Sequence, residues 1–167
     1  SFEQGLRDAL REDPDVLVVG ELRHPEVMQL ALEAAETGHL VLTTMHAGSV
    51  AEVLQRLVGS MPPHAQTAAS AQLAQVLRAV VCQRLVPHHD LDLRLPWLEI
   101  LRASSAVSHL VRQGDFFKLP QAMEVGHSDG HWTSARYRQW MDQHVGWEVP
   151  DPRQRSRDEV APEAEAS

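Results

Sequence analysis

Apolar positions along the chain switch between two periods, and the switching predicts an alternation of helices and strands. Phe2, Leu6, Ala9 and Leu10 recur at helical spacing until Asp13-Pro14-Asp15 breaks the run and turns the chain. Val16-Leu17-Val18-Val19 follows without a polar interruption, which predicts a strand buried on both faces of a parallel sheet. Gly20-Glu21 leaves that strand at its C-terminal end. Pro25 suits a first helical position, and the apolar stripe it opens passes Met28 and Leu32 before Gly38 supplies a stop. A second buried strand, spanning His39 to Met45, delivers His46 at its end.

Ser49 and Glu52 have the spacing of a capping box in front of Val50, Val53, Leu54, Leu57 and Val58, a stripe of helical period. The order helix, strand, helix, strand, helix implies right-handed crossovers and a parallel sheet with flanking helices. Beyond Pro62-Pro63 the spacing of Leu73, Val76, Leu77 and Val80 predicts a longer helix. Short strands at Gln83–Val86 and Leu95–Leu101 are expected to form a hairpin across His88-His89-Asp90. From Ser104 to His144 the pattern is helical, and the Pro-, Glu-, Arg- and Ala-rich end of the chain predicts a disordered tail.

With 167 residues, 43% of them apolar, the chain suffices for one globular domain with appendages. A formal charge of -8 supplies no basic field, which argues against a nucleic-acid partner. Cys82 is the only cysteine, so neither an internal disulfide nor a four-cysteine zinc site can form, in keeping with a reducing compartment. No apolar run has the length of a membrane span.

In open parallel sheets, ligands bind beyond the carboxyl ends of the strands, which is where Glu21 and His46 fall. A carboxylate and an imidazole on neighbouring strand ends can face a terminal phosphate together, the first orienting water or a magnesium shell and the second sensing phosphate. The plainer alternative is that Glu21 solvates a loop and His46 caps the next turn. Two histidine groupings, His88-His89-Asp90 and His127 with His131, lack the ligand spacing of a metal site, so no structural metal is expected. Trp132, Trp140 and Trp147 are expected to complete a small core, the alternative being a partner surface.

Two longer segments carry a resemblance. Asp13 to Arg23, reading DPDVLVVGELR, resembles the Walker B segment of the PilT/PilU-like type IV pilus retraction ATPases and their type II secretion relatives. Thr37 to His46, reading TGHLVLTTMH, resembles the His box of the same family. Ala79 to Pro87, Glu99-Ile100-Leu101 and Ala106 to Arg112 are similar to the family's later strands and to a helix associated with retraction.

The resemblance implies an α/β fold with a partial RecA-like core over residues 1–103, a C-terminal helical region over 104–147 and an acidic tail over 148–167. It implies a homo-hexameric, magnesium-dependent ATPase, cytoplasmic and peripheral to the inner membrane, that meets a pilus inner-membrane platform protein. By the same carry-over Glu21 is the Walker B carboxylate and His46 the phosphate-sensing histidine. Gly20 and Arg23 support the nucleotide site or the subunit interface.

The chain departs from the family pattern at His24, where aspartate is usual, at Ala47-Gly48-Ser49, and around His131-Trp132. The largest departure is an absence. A phosphate-binding loop needs glycine amides followed by a lysine, whereas the only lysine, Lys118, stands between Phe117 and Leu119-Pro120. ATP binding and hydrolysis are therefore expected only together with a Walker A half, missing here. The alternative is a non-catalytic remnant or adaptor that keeps the oligomer surface.

Overall fold

The computed structural model describes residues 2–88 and 93–143. Seven α-helices and four strands alternate as α1 (Phe2–Leu10), β1 (Val16–Glu21), α2 (Pro25–Glu36), β2 (Leu40–Thr44), α3 (Val50–Gly59), α4 (Gln66–Val76), β3 (Ala79–His88), β4 (Leu93–Arg102), α5 (Ser105–Gln113), α6 (Leu119–Val125) and α7 (Ser134–Gln143). Short 3-10 turns at Phe116–Lys118 and His127–Asp129 separate the last three helices. The tip of the β3–β4 hairpin, Trp147 and the expected tail lie outside the described residues.

Local chemistry accounts for the element boundaries. Pro25 stands in the first turn of α2, and Gly38, at φ 105°, takes the left-handed conformation that ends it cheaply. Ser49 Oγ accepts the Glu52 amide at 3.2 Å, half of the expected capping box. The other half is displaced by one residue, because the Glu52 carboxylate accepts the Gly48 amide at 2.7 Å. Helix α4 stops at Val76, short of the expected Val80, since Leu77 is extended (φ -56°, ψ 129°) and the β-branched pair Val80-Val81 enters β3. The hairpin strands are longer than the sequence suggested, pairing without interruption from Ala79↔Arg102 to His88↔Leu93.

Two sheets of two strands result. β1 and β2 are parallel, β3 and β4 antiparallel. The expectation that β1 and β2 are buried on both faces is corrected. Leu17 and Val19 point into the core, whereas Val18 is 78% exposed and Val16, Leu40 and Leu42 are also exposed. The helices of the described chain cover one face of this sheet, and its second face stays open. A continuous apolar run thus records a two-faced environment of which this chain supplies one side.

One core joins the sheet to the helices. Val50 and Leu54 of α3, Leu101 of β4, Val107 and Val111 of α5, and Leu119 and Met123 of α6 are all essentially inaccessible. Burial of each such side chain contributes about 1.5–3 kcal/mol. This packing holds α3, and hence the loop before it, in a fixed relation to β1 and β2. On the outer side of β4, Trp132 forms an antiparallel bridge with Ile100 and meets Tyr137 and Trp140 edge-on at centroid distances near 6 Å. Trp132 and Trp140 therefore join one aromatic cluster.

Candidate functional site

β1 and β2 run in register from Val16↔Leu40 to Val19↔Thr43, and the next pair is Glu21↔Thr44. Gly20 is thus an extra residue, a bulge at the C-terminal end of β1. Its effect is readable in the burial order. Leu17 and Val19 are inward, and continued alternation would turn Glu21 inward too. Instead Leu22 is the next buried residue, and Glu21 is released to the strand end with its side chain 27% exposed. Thr44 Oγ1 donates to Gly20 O at 2.8 Å and Leu22 N donates to Thr44 O at 3.2 Å, which pin the bulge from both sides.

At this end Glu21 meets Arg23 and His46. Arg23 donates from Nε (2.9 Å) and Nη2 (2.6 Å) to Glu21 Oε2. His46 Nε2 stands 3.6 Å from Glu21 Oε1, too long for a hydrogen bond but close enough for charge interaction. The Arg23 hydrogen bond holds the Glu21 carboxyl below the usual glutamate range, with the Arg23 and His46 charges adding to it against the cost of desolvation. Glu21 in turn raises the pKa of Arg23 through the same bond.

The four residues expected from sequence, Gly20, Glu21, Arg23 and His46, therefore converge. A groove of about 320 Å³ beside them is lined by Glu21, Arg23, His24 and Val27. A second cleft of about 360 Å³ lies away from these groups, between α2, α4 and β2, with mostly apolar walls. We place the site at the strand ends because the charged groups meet there, and the apolar cleft contains neither Glu21 nor His46.

His46 is highly exposed, and backbone contacts of its loop fix its position. Arg56 Nη1 donates to His46 O (2.6 Å), Arg84 Nη2 donates to Gly48 O (3.0 Å), and Glu99 Oε2 accepts from Val50 N (3.0 Å). The sequence reading missed these three side chains, together with Thr44. Arg84 and Glu99 carry no local signal, being 36 and 49 residues from the groups they bind.

Among the described residues no group of three or more His, Cys, Asp or Glu side chains is placed to hold a metal ion directly. For a magnesium ion bound here through nucleotide phosphates and water, Glu21 is the carboxylate that would hold a water of its shell. His131 Nδ1 accepts from Arg102 N (3.2 Å), and His127 Nδ1 faces Arg136 Nη1 (3.3 Å). No described helix is long and apolar enough to cross a membrane.

The family model for type II/IV secretion system proteins matches residues 1–128. The chain is 45% identical over 130 residues to the uncharacterized protein YggR of Escherichia coli K12, covering 78% of this chain and 40% of that protein. It is 41% identical over 133 residues to the twitching motility protein of Neisseria gonorrhoeae, covering 80% and 36%. Among solved structures, the pilus retraction motor PilT with bound ADP superposes with a TM-score of 0.77 at 32% identity, over 94% of this chain and 46% of that one. The chain thus spans less than half the length of these relatives. It has the α/β architecture of part of that ATPase, and it belongs to the type II/IV secretion system protein family.

Proposed function

We propose that this chain is the C-terminal part of a hexameric ATPase that powers type IV pilus retraction, completed by a half that carries the phosphate-binding loop. The observation that carries this reading is the approach of Glu21 and His46, 3.6 Å apart on adjacent parallel strand ends, with Glu21 lining an open groove. Magnesium-ATP supplies the reacting phosphoryl group. Glu21 orients the attacking water or a water of the magnesium shell, and its low pKa keeps it ionised for that task. His46 senses the terminal phosphate, and Arg23 holds Glu21 in place and stands ready for a subunit contact.

Retraction is favoured over secretion by the N. gonorrhoeae and PilT relatives. The whole assembly would be cytoplasmic, peripheral to the inner membrane, and would meet an inner-membrane platform protein. Calorimetric titration with magnesium-ATP tests the division of labour. The chain alone should show no tight binding, because it has no glycine-rich loop with lysine. Joined to a half bearing that loop, it should bind saturably in the micromolar range. Micromolar binding by the chain alone, or none by the joined protein, overturns the reading.

A further inference from the structure

His46 sits in the loop Met45–Ser49, between the end of β2 and the start of α3, and this loop has no ladder or helix of its own. Four side-chain hydrogen bonds reach its backbone and the first amide of α3. Two are local, from Arg56 to His46 O and from Gly48 N to Glu52, both side chains belonging to α3. The other two come from the β3–β4 hairpin, with Arg84 on Gly48 O and Glu99 on Val50 N.

Glu99 lies directly across from Cys82, and Arg84 is two residues further along β3, so both project from one face of the hairpin as diagonal neighbours. One side chain supplies donors and the other an acceptor, and each finds the complementary backbone group of the loop. A Cβ at Gly48 would stand 3.1 Å from Glu52 Oε2 and 3.4 Å from Arg84 Nη2, so the glycine lets both of these side chains approach without adjustment.

We propose that the β3–β4 hairpin sets where His46 stands relative to Glu21, and that Arg84 and Glu99 are the positioning residues through which it does so. The geometry stands by itself, and only its consequence for phosphate sensing rests on the function proposed above. The same strand β4 is bridged on its other edge to Trp132, so the hairpin ties the His46 loop to the C-terminal segment. A displacement of the hairpin would carry the Gly48 and Val50 backbone with it, and His46 after them.

The test uses the full chain without nucleotide, so it is independent of whether the chain takes part in ATP hydrolysis. Hydrogen exchange and NMR nuclear Overhauser contacts are compared for the unaltered chain, Arg84→Gln, Glu99→Ala and the conservative Arg84→Lys. Losing Glu99 should speed exchange of the Val50 amide about tenfold, the worth of one hydrogen bond, and losing Arg84, which frees the Gly48 carbonyl, should speed exchange of the same amide by loosening the loop. Freed from the clasp, the His46 loop should leave the end of β1, so nuclear Overhauser contacts between the His46 ring and the Glu21 side chain should be lost. Arg84→Lys, which still donates to Gly48 O, should restore both readouts. Protection of the β3–β4 ladder amides reports that the hairpin is intact, and the exposed Arg84→Gln site decides the matter if Glu99→Ala loses that ladder. Unchanged loop exchange and unchanged His46–Glu21 contacts in the folded Arg84→Gln chain overturn the proposal.

Discussion

His131 offers the sharpest stability test, because it is 1% exposed and its ring is held on every side. Its Nδ1 accepts the Arg102 amide at 3.2 Å, which fixes a neutral ring with the proton on Nε2. Its carbonyl receives Arg136 Nη1 at 2.8 Å, and a Cβ added at Gly126 would lie 2.7 Å from Cδ2. Replacing His131 by Ala opens a cavity where the ring stood and leaves the Arg102 amide unpaired. Large-to-small changes in a core cost about 2–3 kcal/mol at the low end of the range, and an unsatisfied buried donor adds about 1–3 kcal/mol. Allowing for partial collapse, His131→Ala should lose about 3–5 kcal/mol, a large share of a typical domain's stability. His131→Asn keeps an acceptor near the Nδ1 position and should recover about 1–2 kcal/mol of that loss. Urea titration followed by tryptophan fluorescence measures both, with Trp132 adjacent in sequence as the reporter. A loss below about 1 kcal/mol for Ala, or an Asn variant no more stable than Ala, would refute the assignment.

The same residue sets a pH dependence: burial pushes the His131 pKa down against the opposing pull of Asp129. The unfolded chain then binds a proton that the fold does not, so stability should fall as pH drops below about 6.5, and the fall should vanish in His131→Asn. Stability flat from pH 7 to pH 5 in the unaltered chain would contradict this. Burial, aided by Glu99 and Glu52, pushes the Cys82 thiol to about 11, so iodoacetamide should alkylate the native chain at pH 8 roughly a hundredfold slower than the unfolded chain. Equal rates would show the thiol to be ordinary. The open face of the β1–β2 sheet, with Val18 and Leu42 exposed, should drive self-association that Val18→Thr with Leu42→Thr reduces. Light scattering that finds a monodisperse monomer before any substitution would count against an incomplete sheet.

Features governed by near neighbours in sequence were legible from it. The strand Val16–Glu21, the Pro25 helix start, the Ser49 cap and the hairpin each depend on residues within a few positions. The convergence of Glu21 with His46 was legible for a topological reason, since two adjacent parallel strands must end on the same edge. The Gly20 bulge was not, because a one-residue offset in the ladder appears only when two strands are aligned. The break at Leu77 was hidden by apolar spacing that continues by coincidence from α4 into β3. Exposure of Val18 was misread because an apolar run reports the environment it is suited to, not whether this chain provides it. Arg84, Glu99 and the packing role of His131 depend on contacts from distant elements.

In the function proposed above, Glu21 acts on the reacting water or metal shell of an ATPase and His46 relays the phosphate state. The most direct measurement of this is steady-state phosphate release by this chain joined to a half bearing the phosphate-binding loop, with nucleotide binding followed in parallel. Glu21→Gln keeps the shape and hydrogen-bonding capacity of the side chain but removes its charge. Binding should persist while turnover falls by about two to four orders of magnitude, the usual worth of one positioned acid–base group. His46→Ala should lower turnover less, since in the proposed division of roles the imidazole relays the phosphate state and the carboxylate acts on the water. Unreduced turnover in the Glu21→Gln protein would contradict the account.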